Sequence, residues 1–224
     1  MAKLRIFCVI PGLNESAHIA KVVSEVKPFV DHVIVVDDGS ADNTSQLAQS
    51  AGAIVIRHRL NIGQGGALRT GTLFALRHGA DIIVHFDADG QFIAQEIPQV
   101  VAPIISGEAQ IVFGSRFLTS APNTMPWVKK HVLMPLGRMF NRSILGITTS
   151  DPQSGFRAFS AQAYSVIAWR HYGYAHASEI LSLACASKMS IAEVPITVLY
   201  NRFGQGLGGG IKIVKDFFLE WLSD

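Results

Sequence analysis

The sequence has only two cysteines among its 224 residues, Cys8 and Cys185, and both lie in apolar stretches. Two such cysteines suggest neither a disulfide framework nor a zinc site. Charged residues are also scarce, at 16%, and the formal net charge is only +2. A balance this small gives no indication of nucleic-acid binding, and we expect no nucleic-acid partner.

Long hydrophobic runs are missing too. Nowhere do 18 apolar residues follow one another without interruption, so we predict no membrane-spanning helix. The first residues lead directly into an apolar strand without the small-residue cleavage site of a signal peptide, and we therefore expect a cytoplasmic protein. The first strand is not followed by G-x-G-x-x-G, and no P-loop motif occurs. These absences argue against a dinucleotide-binding Rossmann site and exclude a P-loop nucleotidase.

The first half of the chain consists of apolar strands that alternate with helical segments. This alternation predicts an α/β fold with a parallel sheet and right-handed crossovers, and the length favours a single domain over residues 1–224. The expected strands cover residues 4–10, 33–36, 53–57, 82–86 and 110–114, and the expected helices cover about 14–27, 44–50, 67–78 and 94–106.

The second half is less regular. Residues 122–146 combine prolines with an apolar stripe and neighbouring arginines, which fits either an ordinary core-facing helix or a helix in a membrane interface. A polar loop at 151–157 should precede helices at 161–170 and 178–187, and a strand at 191–199 should lie at the sheet edge because it contains Pro195. A flexible glycine-rich loop is expected at 201–210, followed by an amphipathic helix at 212–222.

The strand at 82–86 is followed by Asp87, Asp89 and Gln91, at i, i+2 and i+4. This spacing can place three oxygen-bearing side chains together beyond the carboxyl end of the strand, where open α/β sheets bind ligands. Mg²⁺ and Mn²⁺ prefer such ligands together with phosphate oxygens. The stretch therefore indicates either a metal-assisted diphosphate site or an Asp-rich turn.

Other polar clusters end the neighbouring strands and should meet at the same edge, which favours the metal interpretation. They are Pro11/Asn14/Glu15, Asp37/Asp38/Gly39/Ser40, Asn61/Gly63/Gly65 and Ser115/Arg116.

Six motifs in succession give the chain a family resemblance from residue 4 to about residue 215. They are Ile10-Pro-Gly-Leu-Asn-Glu15, Val35-Val-Asp-Asp-Gly-Ser40, Asn61-Ile-Gly-Gln-Gly65, Asp87-Ala-Asp-Gly-Gln91, Gly114-Ser-Arg116 and Gln153-Ser-Gly-Phe-Arg157. The chain resembles family 2 glycosyltransferases of the GT-A fold, and within them the polyprenyl-phosphate sugar transferases, which include dolichyl-phosphate mannose synthase. Two departures are Gly12-Leu13, where an aromatic residue is usual, and the late loop after Arg202, which lacks the usual Gly-x-Ser-Lys.

The resemblance implies that Pro11, Glu15 and Asp38 hold the donor nucleoside and that Asp87, Asp89 and Gln91 carry Mg²⁺ or Mn²⁺. It also implies that Arg116, Arg138 and Arg202 surround the phosphates of donor and acceptor, so we group Asp89 with these arginines as catalytic. Further expected substrate-binding residues are Asn14, Gly39, Gly63, Gln153, Arg157 and Glu179.

The expected reaction moves a sugar, with inversion, from GDP-mannose or a UDP-hexose to a polyprenyl phosphate. The nucleophile is then already charged, so no general base is needed. Under the alternative of a glycan or protein hydroxyl acceptor, Asp151 or Glu179 could be the base. A second alternative is a non-catalytic nucleotide-sugar-binding subunit. The lipid acceptor implies peripheral contact with the cytoplasmic face of a membrane, and the C-terminal segment could extend this contact or dock a separate membrane subunit.

Overall fold

The computed structural model of the protein describes residues 3–118 and 149–199. The predicted segment 122–146, the loop 201–210 and the C-terminal helix, with Arg138 and Arg202, lie outside these ranges. Within them, no helix is long and apolar enough to span a membrane.

The described residues form a seven-stranded sheet in the order β3-β2-β1-β4-β6-β5-β7. Its strands are β1 (Ile6–Gly12), β2 (His32–Asp37), β3 (Ile54–Arg57), β4 (Ile82–His85), β5 (Ile111–Ser115), β6 (Arg157–Ser160) and β7 (Ile191–Pro195). The pairs β1/β2, β1/β4, β2/β3 and β5/β7 are parallel, whereas β6 runs antiparallel to both β4 and β5. The prediction of a mainly parallel sheet is therefore confirmed.

Helices cover both faces of the sheet, because its central strands are apolar on both sides. The helices are α1 (Ile19–Val26), α2 (Thr44–Ser50), α3 (Gln64–Arg77), α4 (Ile97–Ile105), α5 (Tyr164–Ile167) and α6 (His176–Ala186), with short 3₁₀ turns at Lys27–Phe29 and Ala94–Glu96. One apolar cluster includes buried residues of α1, α2 and α4, and the second includes buried residues of α3, α5 and α6. The result is a three-layer α/β structure.

Most element boundaries differ from the sequence prediction by a few residues, and three elements differ more clearly. The first helix begins at Ile19 rather than near Asn14, whose φ of 56° is incompatible with a helix. The predicted helix at 161–170 is wrong beyond the short α5, because Trp169 turns into the core and donates its indole N–H to the Gly65 carbonyl. The last strand lies at the edge as predicted but ends at Pro195.

Strand β6 was missed altogether, since the sequence indicated only a loop followed by a helix there. It pairs Arg157 with His85 of β4 and with Phe113 of β5. Because β6 runs opposite to its neighbours, its first residue lies at the edge where β4 and β5 end. The segment 153–157 therefore reaches the same edge as the polar clusters of the parallel strands.

Candidate active site

The candidate site lies at the carboxyl edge of the parallel strands, where the first two loops are joined by hydrogen bonds. The Asn14 backbone N–H donates to Ser40 Oγ at 2.9 Å, and the Asn14 Oδ1 accepts from the Ala41 N–H at 2.9 Å. The Glu15 N–H donates to Thr44 Oγ1 at 2.8 Å. The predicted cluster around Asn14 and Glu15 is thus brought against the loop after β2.

Asp38 is buried, and its carboxylate is occupied by groups of the protein itself. One oxygen lies 2.7 Å from His58 Nδ1 and accepts the Ile62 N–H at 3.1 Å, while the other accepts the Gly63 N–H at 2.8 Å. The other ring nitrogen of His58 lies 3.0 Å from Thr70 Oγ1. Asp38 therefore shapes the loop after β3, and His58 is a partner that the sequence did not reveal.

A cavity of about 440 Å³ adjoins this loop and is lined by Gly39, Ser40, Arg57, His58 and Arg59. Gly39 has a φ of +85°, and a Cβ there would lie 3.0 Å from the Asn61 backbone nitrogen. Glycine is needed at this position both for the conformation and for the close approach of the two loops. Pro11, by contrast, is buried within β1.

Gln64 connects this loop to the predicted metal ligands, because its Nε2 donates to Asp87 Oδ1 at 3.1 Å. Gln64 follows Gly63, which is held by Asp38. The adjacent residues Gly63 and Gln64 thus hydrogen-bond to Asp38, after β2, and to Asp87, after β4. Gln64 was not among the predicted site residues, although it stands inside the glycine-rich motif that contained them.

Three carboxylates at this edge of the sheet, Asp87, Asp89 and Glu15, all have raised pKa values. Burial and the neighbouring charge of Asp89 raise the pKa of Asp87 to about 6, although Arg157, Arg116 and the Gln64 hydrogen bond act in the opposite direction. Burial and Asp89 also raise the pKa of Glu15, and burial raises that of Asp89. Within the described ranges none of the three has a cation within 4.0 Å.

The charge of Asp89 raises the pKa of Asp87, so a divalent cation bound to these two carboxylates would offset their repulsion. The described residues contain no cluster of three His, Cys, Asp or Glu side chains that could enclose a metal. Asp87 and Asp89 suit Mg²⁺ or Mn²⁺, which commonly bind one or two carboxylates and take other oxygens from substrate phosphates. The Gln91 backbone N–H donates to Asp89 Oδ1 at 3.0 Å, while its side chain makes no hydrogen bond to the described residues.

Gly155 lies against the Asp87 carboxylate. A Cβ at this position would lie 2.3 Å from Asp87 Oδ2, so only glycine leaves the carboxylate in place. Gly155 belongs to the Gln153–Arg157 motif, whose role in the resemblance was substrate binding. Within that motif Gln153 donates to Ser178 Oγ at 2.7 Å. The motif therefore also contacts Asp87, at the end of β4.

Arg157 is 1% exposed and lies behind Asp87. Burial lowers the pKa of its guanidinium to about 10, and the Asp87 charge opposes this effect. Its Nε and Nη1 are buried without a hydrogen-bond partner in the described ranges. Arg157 supplies positive charge to the site from the interior, and its burial leaves little surface for direct substrate contact.

Arg116 and Asp151 form a pair next to this group. The Arg116 Nε lies 2.6 Å from Asp151 Oδ2, and Asp151 is 1% exposed. Glu179 accepts backbone N–H groups of Arg170 and His171 and lies 2.9 Å from His171 Nδ1. Burial acts to raise the pKa of Glu179, but these hydrogen bonds outweigh it, and the pKa is lowered. Glu179 thus stabilises the 168–175 loop.

Comparison with known proteins identifies the family to which this arrangement belongs. The family model for glycosyl transferase family 2 matches residues 7–167. The chain belongs to glycosyl transferase family 2. Its fold and its glycosyltransferase class are therefore those that the sequence motifs predicted.

Two curated members of the family are similar over almost the whole chain. UDP-N-acetylglucosamine–dolichyl-phosphate N-acetylglucosaminyltransferase of Methanococcus voltae is 36% identical, covering 99% of this chain and 96% of its own. Polyprenol monophosphomannose synthase of Mycolicibacterium smegmatis is 29% identical, covering 97% and 86%.

Solved structures of glucosyl-3-phosphoglycerate synthase from Mycobacterium tuberculosis share the fold. The complex with Mn²⁺, UDP-glucose and phosphoglyceric acid has a TM-score of 0.69 and 26% identity, and it covers 93% of this chain and 75% of its own. The complex with Mg²⁺ and UDP has a TM-score of 0.71 and 26% identity, with coverages of 93% and 74%. Both metals expected from the sequence thus occur in this structural relative.

Proposed function

We propose that this glycosyltransferase moves a sugar from a nucleoside diphosphate sugar to a polyprenyl phosphate, with inversion at the anomeric carbon. An oxygen of the acceptor phosphate forms a bond to the anomeric carbon, the bond from that carbon to the diphosphate oxygen breaks, and the nucleoside diphosphate leaves. A phosphomonoester with a second pKa near 6 is mostly dianionic at neutral pH, so the nucleophile needs no proton acceptor. Relatives named for transfer to dolichyl phosphate and polyprenol support this acceptor class.

The main support for a phosphate acceptor is that both candidate general bases, Asp151 and Glu179, already bind other groups of the protein. Asp151 is buried and paired with Arg116, and the Glu179 carboxylate is occupied by the 170–171 backbone. A hydroxyl acceptor would require a carboxylate placed to receive its proton. Because both candidates already serve the protein's own structure, a charged phosphate acceptor fits the site better than a hydroxyl.

The other side chains have roles that follow from their positions. Asp87 and Asp89, with Gln91, would hold the divalent metal, which when bound supplies positive charge for the leaving diphosphate. Arg116 contributes charge beside Asp87, and Arg157 contributes it from behind. Asp38 acts through Gly63 and His58, and the cavity at Gly39, Ser40 and Arg57 receives the donor nucleoside. We propose that the reaction takes place at the cytoplasmic face of a membrane.

The test compares wild type with Asp89→Asn, which removes one charge but keeps the oxygen that accepts the Gln91 N–H. We predict that this change lowers turnover about 100-fold or more in an assay with Mn²⁺, a nucleotide sugar and polyprenyl phosphate. Glu108→Gln, an exposed position before β5 at the opposite edge, should keep wild-type turnover.

Product that partitions into organic solvent supports a lipid acceptor, and transfer to a glycan or protein hydroxyl would contradict it. Nucleotide binding without donor consumption would identify a non-catalytic subunit. Calorimetric titration with UDP and with GDP, each with Mn²⁺, distinguishes the donor bases.

A further inference from the structure

Two segments of this chain lack acidic residues. Residues 43–80 contain four arginines and no Asp or Glu, and residues 152–178 contain two arginines and no Asp or Glu. The fold brings parts of these segments together, because the Gly66 N–H donates to the Tyr172 carbonyl at 3.1 Å. Of the arginines in these segments, Arg57 pairs with Asp37 and Arg157 is buried. The Glu179 carboxylate accepts the Arg170 N–H, but the side chains of Arg59 and Arg170 have no carboxylate within 4.0 Å in the described ranges and supply positive charge to this surface.

Exposed apolar side chains occupy the same surface. Leu60 is 76% exposed and Tyr174 68%, and Ile62 and Tyr172 are exposed beside them. A Cβ on Gly66 would lie 2.8 Å from Ile62 Cδ1 and 3.5 Å from Tyr172 Cδ1, so these two side chains meet over the start of α3. Exposed Arg59 and Arg170 flank the apolar residues in the chain.

We propose that this aromatic–basic surface, formed by Arg59, Leu60, Ile62, Arg170, Tyr172 and Tyr174, docks on an anionic membrane. Tyrosine rings favour the level of lipid headgroups, aliphatic side chains gain by insertion just below them, and arginines bind lipid phosphates. Nucleic acid would use the arginines and tyrosines but would give no comparable gain for the exposed Leu60 and Ile62. The combination fits a lipid surface.

The surface also borders the candidate site. Ile62 is two residues from Gln64, whose side chain reaches Asp87. Docking here would place the carboxyl edge of the sheet close to the lipid headgroups. On the proposed function, this is where the phosphate of a polyprenyl phosphate would be presented, and that part of the inference rests on the proposed function.

The test is flotation of the full chain with phosphatidylcholine vesicles that either contain or lack phosphatidylglycerol. Wild type should float with the anionic vesicles, and higher salt should weaken binding. Leu60→Ser/Tyr174→Ser should reduce the bound fraction about tenfold or more, because both exposed apolar groups are lost. Leu4→Ser/Ile105→Ser, a control that removes two exposed apolar residues at the opposite edge, should leave it unchanged.

The charge contribution is tested separately. Arg59→Gln/Arg170→Gln should weaken binding by about fivefold for each arginine. Lys21→Gln/Arg77→Gln, which removes the same charge elsewhere, should have a much smaller effect.

Failure of wild type to bind anionic vesicles, or equal losses in the controls, would overturn the docking surface. Preferential binding of an RNA oligonucleotide, or a dimer that dissociates when Leu60 and Tyr174 are replaced, would also overturn it.

Vesicle binding requires no turnover, so it is measured independently of the proposed reaction. With a detergent-dispersed acceptor, Leu60→Ser/Tyr174→Ser should turn over as wild type does. Absence of transfer in wild type would count against the proposed function alone.

Discussion

At the scale of single residues, the site holds carboxylates in positions that cost stability when no cation is bound. The pKa of Asp87 is raised to about 6, mainly by burial and then by Asp89. In the unfolded chain the Asp87 carboxyl has its ordinary, lower pKa. At a pH above that value the unfolded chain is ionised at this position, whereas the folded environment favours the neutral carboxyl, and this difference lowers the free energy of unfolding. The arrangement that suits a divalent cation therefore opposes folding in the absence of that cation.

Asp87→Asn should accordingly stabilise the protein when metal is removed by a chelator. The amide keeps an oxygen that can accept from Gln64 but removes the charge. We expect the free energy of unfolding to rise by about 1–2 kcal/mol at pH 7 and the gain to disappear as the pH falls through 6 towards 4. Urea denaturation at several pH values measures it.

We expect Mn²⁺ to raise the Tm of wild type, and the same variant should lose this increase. Asp81→Asn, whose carboxylate accepts the Arg5 N–H at the opposite edge, serves as a control and should keep that increase. A variant that is less stable than wild type in chelator at pH 7 would contradict this account of Asp87.

At the scale of secondary-structure elements, the packing of α3 against β1 and β2 depends on Gly71. A Cβ at this position would lie 2.3 Å from Val9 Cγ1 and 3.0 Å from Val36 Cγ2, both fully buried. Both side chains are β-branched and buried, so they can move little to make room for a methyl group. The small residue lets the helix approach the sheet and keeps Gln64, at its first turn, within reach of Asp87.

Gly71→Ala should destabilise the protein by about 2 kcal/mol, since overpacking exceeds the gain of about 1 kcal/mol in helix propensity. Gly66→Ala in the same helix is the matched control. Its Cβ would lie 2.8 Å from Ile62 Cδ1 and 2.9 Å from Ile62 Cγ1, but the exposed Ile62 side chain can move away, so the loss of stability should be much smaller than for Gly71→Ala. Adding Val9→Ala to Gly71→Ala should recover part of the loss in a double-mutant cycle measured by urea denaturation. Additive effects would contradict the proposed contact.

The elements that the sequence predicted well are those whose signal is local. The five apolar strands at 4–10, 33–36, 53–57, 82–86 and 110–114 each have a periodicity or an apolar run that survives in the structure. Strand β6 lacks such a signal, because only two of its four residues, Ala158 and Phe159, are apolar and it begins with a charged one. Its place between β4 and β5 depends on pairing with both neighbours, which no local pattern encodes.

The same reasoning applies to the site. The position of the carboxylates at 87 and 89 at this edge of the sheet could be predicted because they follow a recognisable strand, and parallel strands end at one edge. The partners of Asp38 could not, since His58 and the Gly63 N–H come from a different loop whose path is fixed by α3. The hydrogen bonds from the Arg170 and His171 backbone to Glu179 could not be predicted either, because residues 168–170, which were predicted to end a helix, belong to the 168–175 loop.

At the scale of the whole molecule, acid stability depends on buried histidines that must remain neutral. His176 is 2% exposed, and its Nδ1 donates to the Gly173 carbonyl at 2.8 Å. Burial, and then the nearby Arg157 charge, lower its pKa to about 4, and burial lowers the pKa of His85 in the same direction. The unfolded chain binds these protons near pH 6.5, so the histidines weaken folding as the pH falls from 6.5 to 4. Asp87 acts in the opposite direction over part of this range when metal is absent, so the effect of His176 must be isolated by difference.

His176→Asn retains a donor for Gly173 and removes the titrating ring. Relative to wild type, the variant should gain about 2 kcal/mol of unfolding free energy between pH 7 and pH 4, as the wild-type penalty develops. His78→Asn is the matched control, because His78 Nδ1 makes the same kind of hydrogen bond to the Phe74 carbonyl at 2.8 Å but is exposed. Its difference from wild type gives the effect of the same replacement at an exposed position. Urea titrations at half-unit pH intervals measure both differences, and a flat profile for His176→Asn would show that this histidine does not limit stability in acid.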